Sequence, residues 1–213
     1  MLRLLHMRCA AGPFRGPGAM EDAMSTPSEP DAVQRIVSVI STEETLIDGA
    51  LEELEGAFGP RDWTSPLLAF DRTRYYEREM GGPLLRKFCA FERFMPPEEL
   101  VESKLQTNRL ELRMSEDGLR TVNIDPGYIC LERLVLATGK NYTHRIYLSH
   151  GIYADLTLVF HRQSFRPLAW TYPDYADEGA VQVFNRLRER YKARLRGLPV
   201  EEMEPGEGGK GNG

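Results

Sequence analysis

The chain has 213 residues, 41% hydrophobic and 28% charged, the make-up of one ordinary globular domain with tails. Its formal net charge of −5 argues against a general nucleic-acid coat protein, and no apolar run approaches the roughly 20 residues of a membrane span. Three scattered cysteines, Cys9, Cys89 and Cys130, are odd in number and widely spaced, which argues against a disulfide framework or a structural zinc site and points to a reducing, cytoplasmic compartment.

Residues 1–29 read as a disordered or mis-started leader. Arg3, Arg8 and Arg15 stand without an acid among the first 20 residues, and Gly12, Pro13, Gly16, Pro17 and Gly18 break any element. Leu2 to Met7 is too short and too interrupted for a signal-peptide core. The folded body is expected over 30–198, followed by an acidic, glycine-rich tail over 199–213.

Within the body, Arg35 to Ile40 reads as a β-branched strand. Ser41 and Glu44 have the spacing of a capping box, and the helix they open carries Ile47, Ala50, Leu51, Leu54 and Phe58 on one stripe until Gly59-Pro60 stops it. Residues 66–71 are expected as a strand; 84–94 fit both strand and helix spacing, and strand is preferred because a helix start follows. Pro96-Pro97-Glu98-Glu99 then starts a helix that runs to about Leu112. Five short β-rich segments follow, at 121–124, 131–138, 144–148, 152–161 and 165–172, too close together for helical crossovers and so expected to meander antiparallel. A last helix over about 177–196 has Phe184, Leu187, Tyr191 and Leu195 on one stripe and six basic residues from Arg186 to Arg196, read as a solvated face. The fold class is α+β: a largely antiparallel sheet with helices on one face, a first half of split β-α-β type, then a meander and a C-terminal helix.

Five segments can carry chemistry. Asn123 to Tyr128 contains Asp125-Pro126-Gly127, a tight turn in the first reading; in the functional one it places Asn123 and Asp125 at a strand end facing a cleft, where Asp125 binds metal or takes a proton. Lys140, Asn141, His144 and Arg145 crowd one turn and the strand after it, as a polar hairpin tip or an anion cradle. Asp71, Tyr75, Tyr76, Glu79 and Gly81 suit a surface loop or a binding wall. Lys104, Asn108 and Glu111 share one helical stripe. Trp170 to Tyr175 reads first as a core anchor and helix-entry turn, with Asp174 able to face a site. A phosphate-binding GxxxxGK[ST], a GxSxG elbow, a GxGxxG and histidine metal spacings such as HExxH are all absent.

These motifs together resemble the prokaryotic family described as domain of unknown function 4416. The resemblance rests on YYEREMG at Tyr75 to Gly81, KLQTNRLE at Lys104 to Glu111 and NIDPGY at Asn123 to Tyr128. It continues through LATGKNYTHRIYL at Leu136 to Leu148, GIYADLTL at Gly151 to Leu158 and WTYPDY at Trp170 to Tyr175. It covers about residues 33–195. Asp155 stands where the family leads us to expect glutamate, and Gly139 where it leads us to expect a second threonine. The resemblance implies a cytoplasmic prokaryotic protein and carries over no activity.

The residues suggest binding of an anionic small molecule, a phosphorylated metabolite or nucleotide, with enzymatic activity open. Lys140, His144 and Arg145 would hold the anion, with Asn141, Asn123, Tyr76, Lys104, Asn108 and Asp174 as further contacts. Asp125, Glu79 or Glu111 would hold a divalent ion or move a proton. These groups should then converge on one pocket. The alternative is a non-catalytic module for a protein partner, with RNA ranked below it because the chain is acidic.

Overall fold

The computed structural model describes residues 27–71 and 76–200. The expected leader and tail therefore fall outside the described residues over 1–26 and 201–213, as does Tyr75.

Strand β1 (Val33–Ser41) is buried along its whole length. It runs between two other strands, and both its faces are covered, so alternate side chains feed two separate cores. Helix α1 (Glu44–Phe58) lays its expected stripe on one face and ends at Gly59, whose φ of 90° only glycine adopts without strain. The capping box does not form. Ser41 is held in β1 between Leu85 and Val122, and its hydroxyl donates to the Thr121 carbonyl at 2.7 Å. Glu44 meets the Lys87 ammonium at 2.7 Å instead. Strand pairing on both edges of Ser41 outweighs a cap at an exposed helix start.

Two short strands, β2 (Arg61–Thr64) and β3 (Leu68–Phe70), line one edge of β4 (Leu84–Met95). β2 was not expected from the sequence; four residues leave too short a pattern. A short helix, α2 (Glu77–Met80), lies between β3 and β4. Pro97–Glu99 form a 3-10 turn that leads into α3 (Leu100–Arg113). Then come β5 (Val122–Ile129), β6 (Arg133–Thr138), β7 (Arg145–Ser149), β8 (Ile152–His161) and β9 (Ser164–Pro167). The chain closes with α4 (Pro173–Ala176) and α5 (Glu178–Leu195), the latter capped where the Asp177 side chain accepts from the Gly179 amide at 3.0 Å.

The strand order is β2-β4-β1-β5-β6-β8-β7, with β3 also on β4 and β9 also on β8. Every pairing among the named strands is antiparallel. The class is thus α+β, as the sequence indicates. The strand–helix–strand opening is present, and β1 lies antiparallel to both β4 and β5. The second half is not a simple meander, because β8 inserts between β6 and β7. The helices divide between the two faces rather than sharing one. α1 and α3 pack on Val37, Val39, Cys89 and Ile124, while α5 packs on Ile36, Phe88, Ile129 and Leu158. A strand whose residues all alternate into buried surroundings needs cover on both sides.

The basic side of α5 is only partly a solvated face. Arg188 donates from Nε to the Leu131 carbonyl at 2.7 Å and lies 3.4 Å from the Phe160 ring centroid. Arg190 pairs with Asp62 at 2.8 Å, and Arg194 donates to the Glu92 carbonyl. These cations fasten α5 to the sheet.

The largest departure from the sequence reading is at Asp125-Pro126-Gly127, which is strand and not turn. All of Val122–Ile129 pairs with β1. Gly127 is required for close approach: a Cβ there would sit 2.5 Å from the Val135 carbonyl oxygen and 2.7 Å from Leu136 Cδ2. The β5–β6 ladder covers only Gly127 to Ile129, so Pro126, which has no amide to donate, stands where the ladder has not begun. From there towards Val122, β5 parts from β6.

Candidate functional site

The parted strands leave a gap in the sheet, and charged groups from both halves of the chain gather at it. On the β5 bank, Arg120 grips both oxygens of Glu79, from Nε at 2.7 Å and from Nη2 at 2.5 Å. Its Nη1 donates to Asn123 Oδ1 at 2.9 Å, and Asn123 Nδ2 donates to Asp125 Oδ2 at 2.8 Å. From the opposite face of the sheet, Lys104 threads the gap. Its ammonium donates to the Ile124 carbonyl at 2.8 Å and stands 3.7 Å from Asp125 Oδ1 and 4.0 Å from Glu111. Glu111 accepts from the Ile124 amide at 2.5 Å. Two α3 side chains thus satisfy backbone groups that β6 leaves unpaired.

Beneath Asp125 is a buried polar cluster, hereafter the chamber. Register places Ser38 beside Asp125 on β1 and Phe88 beside Ser38 on β4, all three pointing to the α5 face. Arg86 on β4 pairs with Asp174 at 2.5 Å and lies over the rings of Phe70, Phe88 and Tyr175. Three buried polar atoms here have no partner at ordinary hydrogen-bond geometry, Ser38 Oγ, Tyr175 Oη and Arg86 Nε, although the Ser38 hydroxyl lies close enough to Tyr175 to hold its titration down. Of the eight such atoms among the described residues, these three lie together, and a cluster of that kind needs an explanation. Tyr76 closes the chamber from the side, among Ile40, Phe70 and Leu84.

On the β6–β8 bank, Asp155 Oδ2 serves two side chains. Arg145 Nε donates to it at 2.8 Å and His144 Nε2 lies 3.3 Å away. All three side chains are nearly buried. Arg145 also donates to the Lys140 carbonyl at 2.9 Å and to Tyr172 Oη at 3.2 Å. The His144 ring stacks on Trp170 at 5.0 Å and 10°.

Electrostatics follow the burial. Glu79 is held below the usual carboxylate range by its hydrogen bonds from Arg120. Glu111 is pushed up by burial, against the pull of Lys104 and the Ile124 amide. Tyr76 is raised by burial and then by the negative charge of Asp125, against the pull of Arg120. The Lys140 charge reaches Glu79 across the gap.

The match to a family model can be set against this geometry. It spans residues 31–191, from before β1 into α5, and so contains every side chain of both banks. The chain belongs to the family described as Domain of unknown function (DUF4416). No curated protein and no solved structure matches it.

The DUF4416 fold brings together Asp125, Asn123, Glu79, Tyr76, Lys104 and Glu111 on one bank and His144 and Arg145 on the other. Asp174 lies below them, committed to Arg86. Asn108 does not join: α3 turns it to solvent although Lys104 and Glu111 on its stripe are buried. Asn141 is exposed, as is Lys140. The groups form two clusters meeting at Tyr172, not one deep pocket. A recess of about 520 Å³ beside Glu52, Glu53 and Arg113, and one of about 320 Å³ between β9 and α5, lie elsewhere. Among the described residues no group of three or more His, Cys, Asp or Glu side chains is arranged to hold a metal ion, and no helix is long and apolar enough to cross a membrane.

Sequence reading missed Arg120, Asp155, Ser38 and Arg86. Asp155 and Arg86 had a signal: each is a charge within an apolar strand, and a charge buried there must have a partner. Arg120 and Ser38 had none, since only tertiary contacts give them a role. Trp170 and Tyr172 are exposed, and Tyr175 alone of that segment anchors the core. β9 ends at Pro167, so Trp170 lies on the turn before α4, held by its indole N–H on the Leu156 carbonyl at 2.9 Å.

Proposed function

We propose that the chain binds a small anionic molecule at the gap where β5 parts from β6. The observation that supports this is the set of three unpartnered donors, Ser38 Oγ, Tyr175 Oη and Arg86 Nε, buried below a partly exposed Asp125. One oxyanion, of a phosphoryl or carboxylate group, could accept all three. Arg145 and Lys140 add positive charge at the rim. Asp125, about a quarter exposed and held by Asn123 and Lys104, is the carboxylate placed to take a proton from a bound hydroxyl. Glu79 has both oxygens occupied by Arg120 and serves this reading as a positioning residue.

The test is the melting temperature of the full chain against inorganic phosphate, sugar phosphates, nucleotides and small carboxylates. A ligand at 100 times its Kd adds about 2.7 kcal/mol of stability, which is several degrees at this size. The shift should vanish in Tyr175→Phe and shrink in Lys140→Ala, with both variants folded. A panel that leaves the melting temperature unmoved removes the reading.

A second reading has one observation of its own. β7 ends the sheet, and its Ile146, Tyr147 and Leu148 are consecutive and exposed, at 68%, 58% and 39%. An apolar free edge invites another strand. We propose a second copy of this chain as that partner: antiparallel pairing about Tyr147 sets Arg145 opposite Ser149, so no like charges face each other. Light scattering should show a dimer that Tyr147→Lys dissociates; a monomer at all concentrations refutes it.

A further inference from the structure

We infer that the rim of the gap is a stacking platform, so that the ligand is a nucleotide whose planar base lies on Trp170 and whose phosphate faces Arg145 and the chamber. This rests on the anion-binding reading above and narrows it to one substrate class. Trp170 is fixed at both ends of its polarity. Its N–H is tied to the Leu156 carbonyl, and one ring face lies parallel on His144, itself anchored by Asp155. Tyr142 meets His144 edge-on at 5.4 Å. Even so, Trp170 is 41% exposed, Tyr172 51% and Tyr142 65%. Three large aromatics are thus gathered at the surface beside a buried guanidinium, with the indole held rigid.

Such a surface does little for stability, since water still covers it. It suits a flat partner, because aromatic rings held in place bind with little further loss of side-chain freedom. Position supplies the second half of the argument. Trp170, Tyr172, Asp174 and Tyr175 lie on one six-residue segment. Trp170 offers the ring surface. Tyr172 accepts from Arg145, Asp174 holds Arg86, and Tyr175 presents an unpartnered hydroxyl in the chamber. The stacking surface and the oxyanion donors are therefore held at a fixed separation by one turn and α4. A ligand with an aromatic ring at one end and an anion at the other fits that layout, whereas a bare sugar phosphate would leave the platform unused.

Fluorescence gives a direct readout. The chain has two tryptophans, and Trp63 is buried, so Trp170 is the one a bound base would quench. Adenosine and guanosine 5′-monophosphate, ribose 5-phosphate and inorganic phosphate are titrated into the full chain, with melting temperature as the parallel measure. The nucleotides should quench and should bind more tightly than ribose 5-phosphate. Trp170→Ala should weaken nucleotide binding about tenfold or more while leaving ribose 5-phosphate binding unchanged. Trp170→Phe, which keeps a flat ring, should retain nucleotide binding and lose the quench. If ribose 5-phosphate binds as tightly as the nucleotides, or Trp170→Ala leaves nucleotide affinity unchanged, the platform is overturned and the anion site stands. If none of the four probes binds, the platform falls, and with it the phosphate form of the anion reading.

Discussion

Asp155 on β8 and Asp125 on β5 lie on either side of β6, in surroundings built in opposite ways. At Asp155 one carboxylate oxygen serves Arg145 and His144, and the arginine's remaining nitrogens are spent on Lys140 and Tyr172. At Asp125 the carboxylate is partly exposed, and the donors below it, on Ser38, Tyr175 and Arg86, have no acceptor. The first arrangement is a paired network that holds its strands in place and leaves two of the five Arg145 N–H groups towards the rim. The second is incomplete, and an incomplete buried polar network is what the proposed anion site rests on. Charged residues count for function less by their number at a site than by whether their hydrogen bonds are already used.

Replacing Asp155 with alanine should have the largest effect. It leaves a buried guanidinium uncompensated, at a cost of about 3–5 kcal/mol in urea unfolding. The same change at the partly exposed Asp125 should cost far less. Equal losses at the two positions would erase the contrast.

Gly127→Ala comes next. Its new Cβ must push β6 away at the point where the gap opens, at a cost of about 1–3 kcal/mol. A fully stable variant would mean that β6 does not approach β5 as closely as the register requires.

A tyrosine pair sharpens the comparison further. The Tyr191 hydroxyl donates to the Ala32 carbonyl at 2.8 Å, so Tyr191→Phe should lose about 1 kcal/mol. Tyr175→Phe removes a buried hydroxyl with no partner and should be neutral or slightly stabilising in the absence of ligand. If Tyr175→Phe destabilises as much as Tyr191→Phe, the chamber is already satisfied.

The smallest effect is in pH dependence. Glu79 is depressed by Arg120, so its contribution is present above the ordinary glutamate pKa of about 4.3 and is lost as pH falls through its lower folded value. Glu111 is raised by burial. Its contribution is complete below the ordinary value and is lost as pH rises through the folded one. Glu79→Gln should therefore remove part of the acid-side loss, and Glu111→Gln should remove a loss at higher pH. Each should change stability by less than about 1 kcal/mol, as read from melting curves between pH 3 and 8. Identical profiles for the two variants would contradict the assignment.

Much of this architecture was open to reading from local pattern. The stripe Ile47, Ala50, Leu51, Leu54 and Phe58 places α1, and Pro97 with its acids marks the approach to α3. Lys104 with Glu111, and Asn123 with Asp125, were recognisable as polar groups in unusual places. Asp125-Pro126-Gly127 was misleading because turn propensity is a local quantity: three residues with the chemistry of a turn were drawn into a strand by pairing with β1 along its whole length. The capping box failed for the same reason, since Ser41 had two strands competing for it. Asn108 shares a stripe with Lys104 and Glu111 yet faces solvent, because the buried sector of α3 is narrower than that stripe.

By itself the sequence determined the α+β class, the helix stripes, most of the strands and the family. These depend on neighbours three, four or two positions away along the chain. Tertiary structure alone decided that β8 would separate β6 from β7, that Lys104 would cross the sheet through a gap, and that Ser38, Arg86 and Tyr175 would meet without partners. Those outcomes depend on contacts between residues from about ten to more than a hundred positions apart, where no local period survives and the packing of both faces sets the geometry.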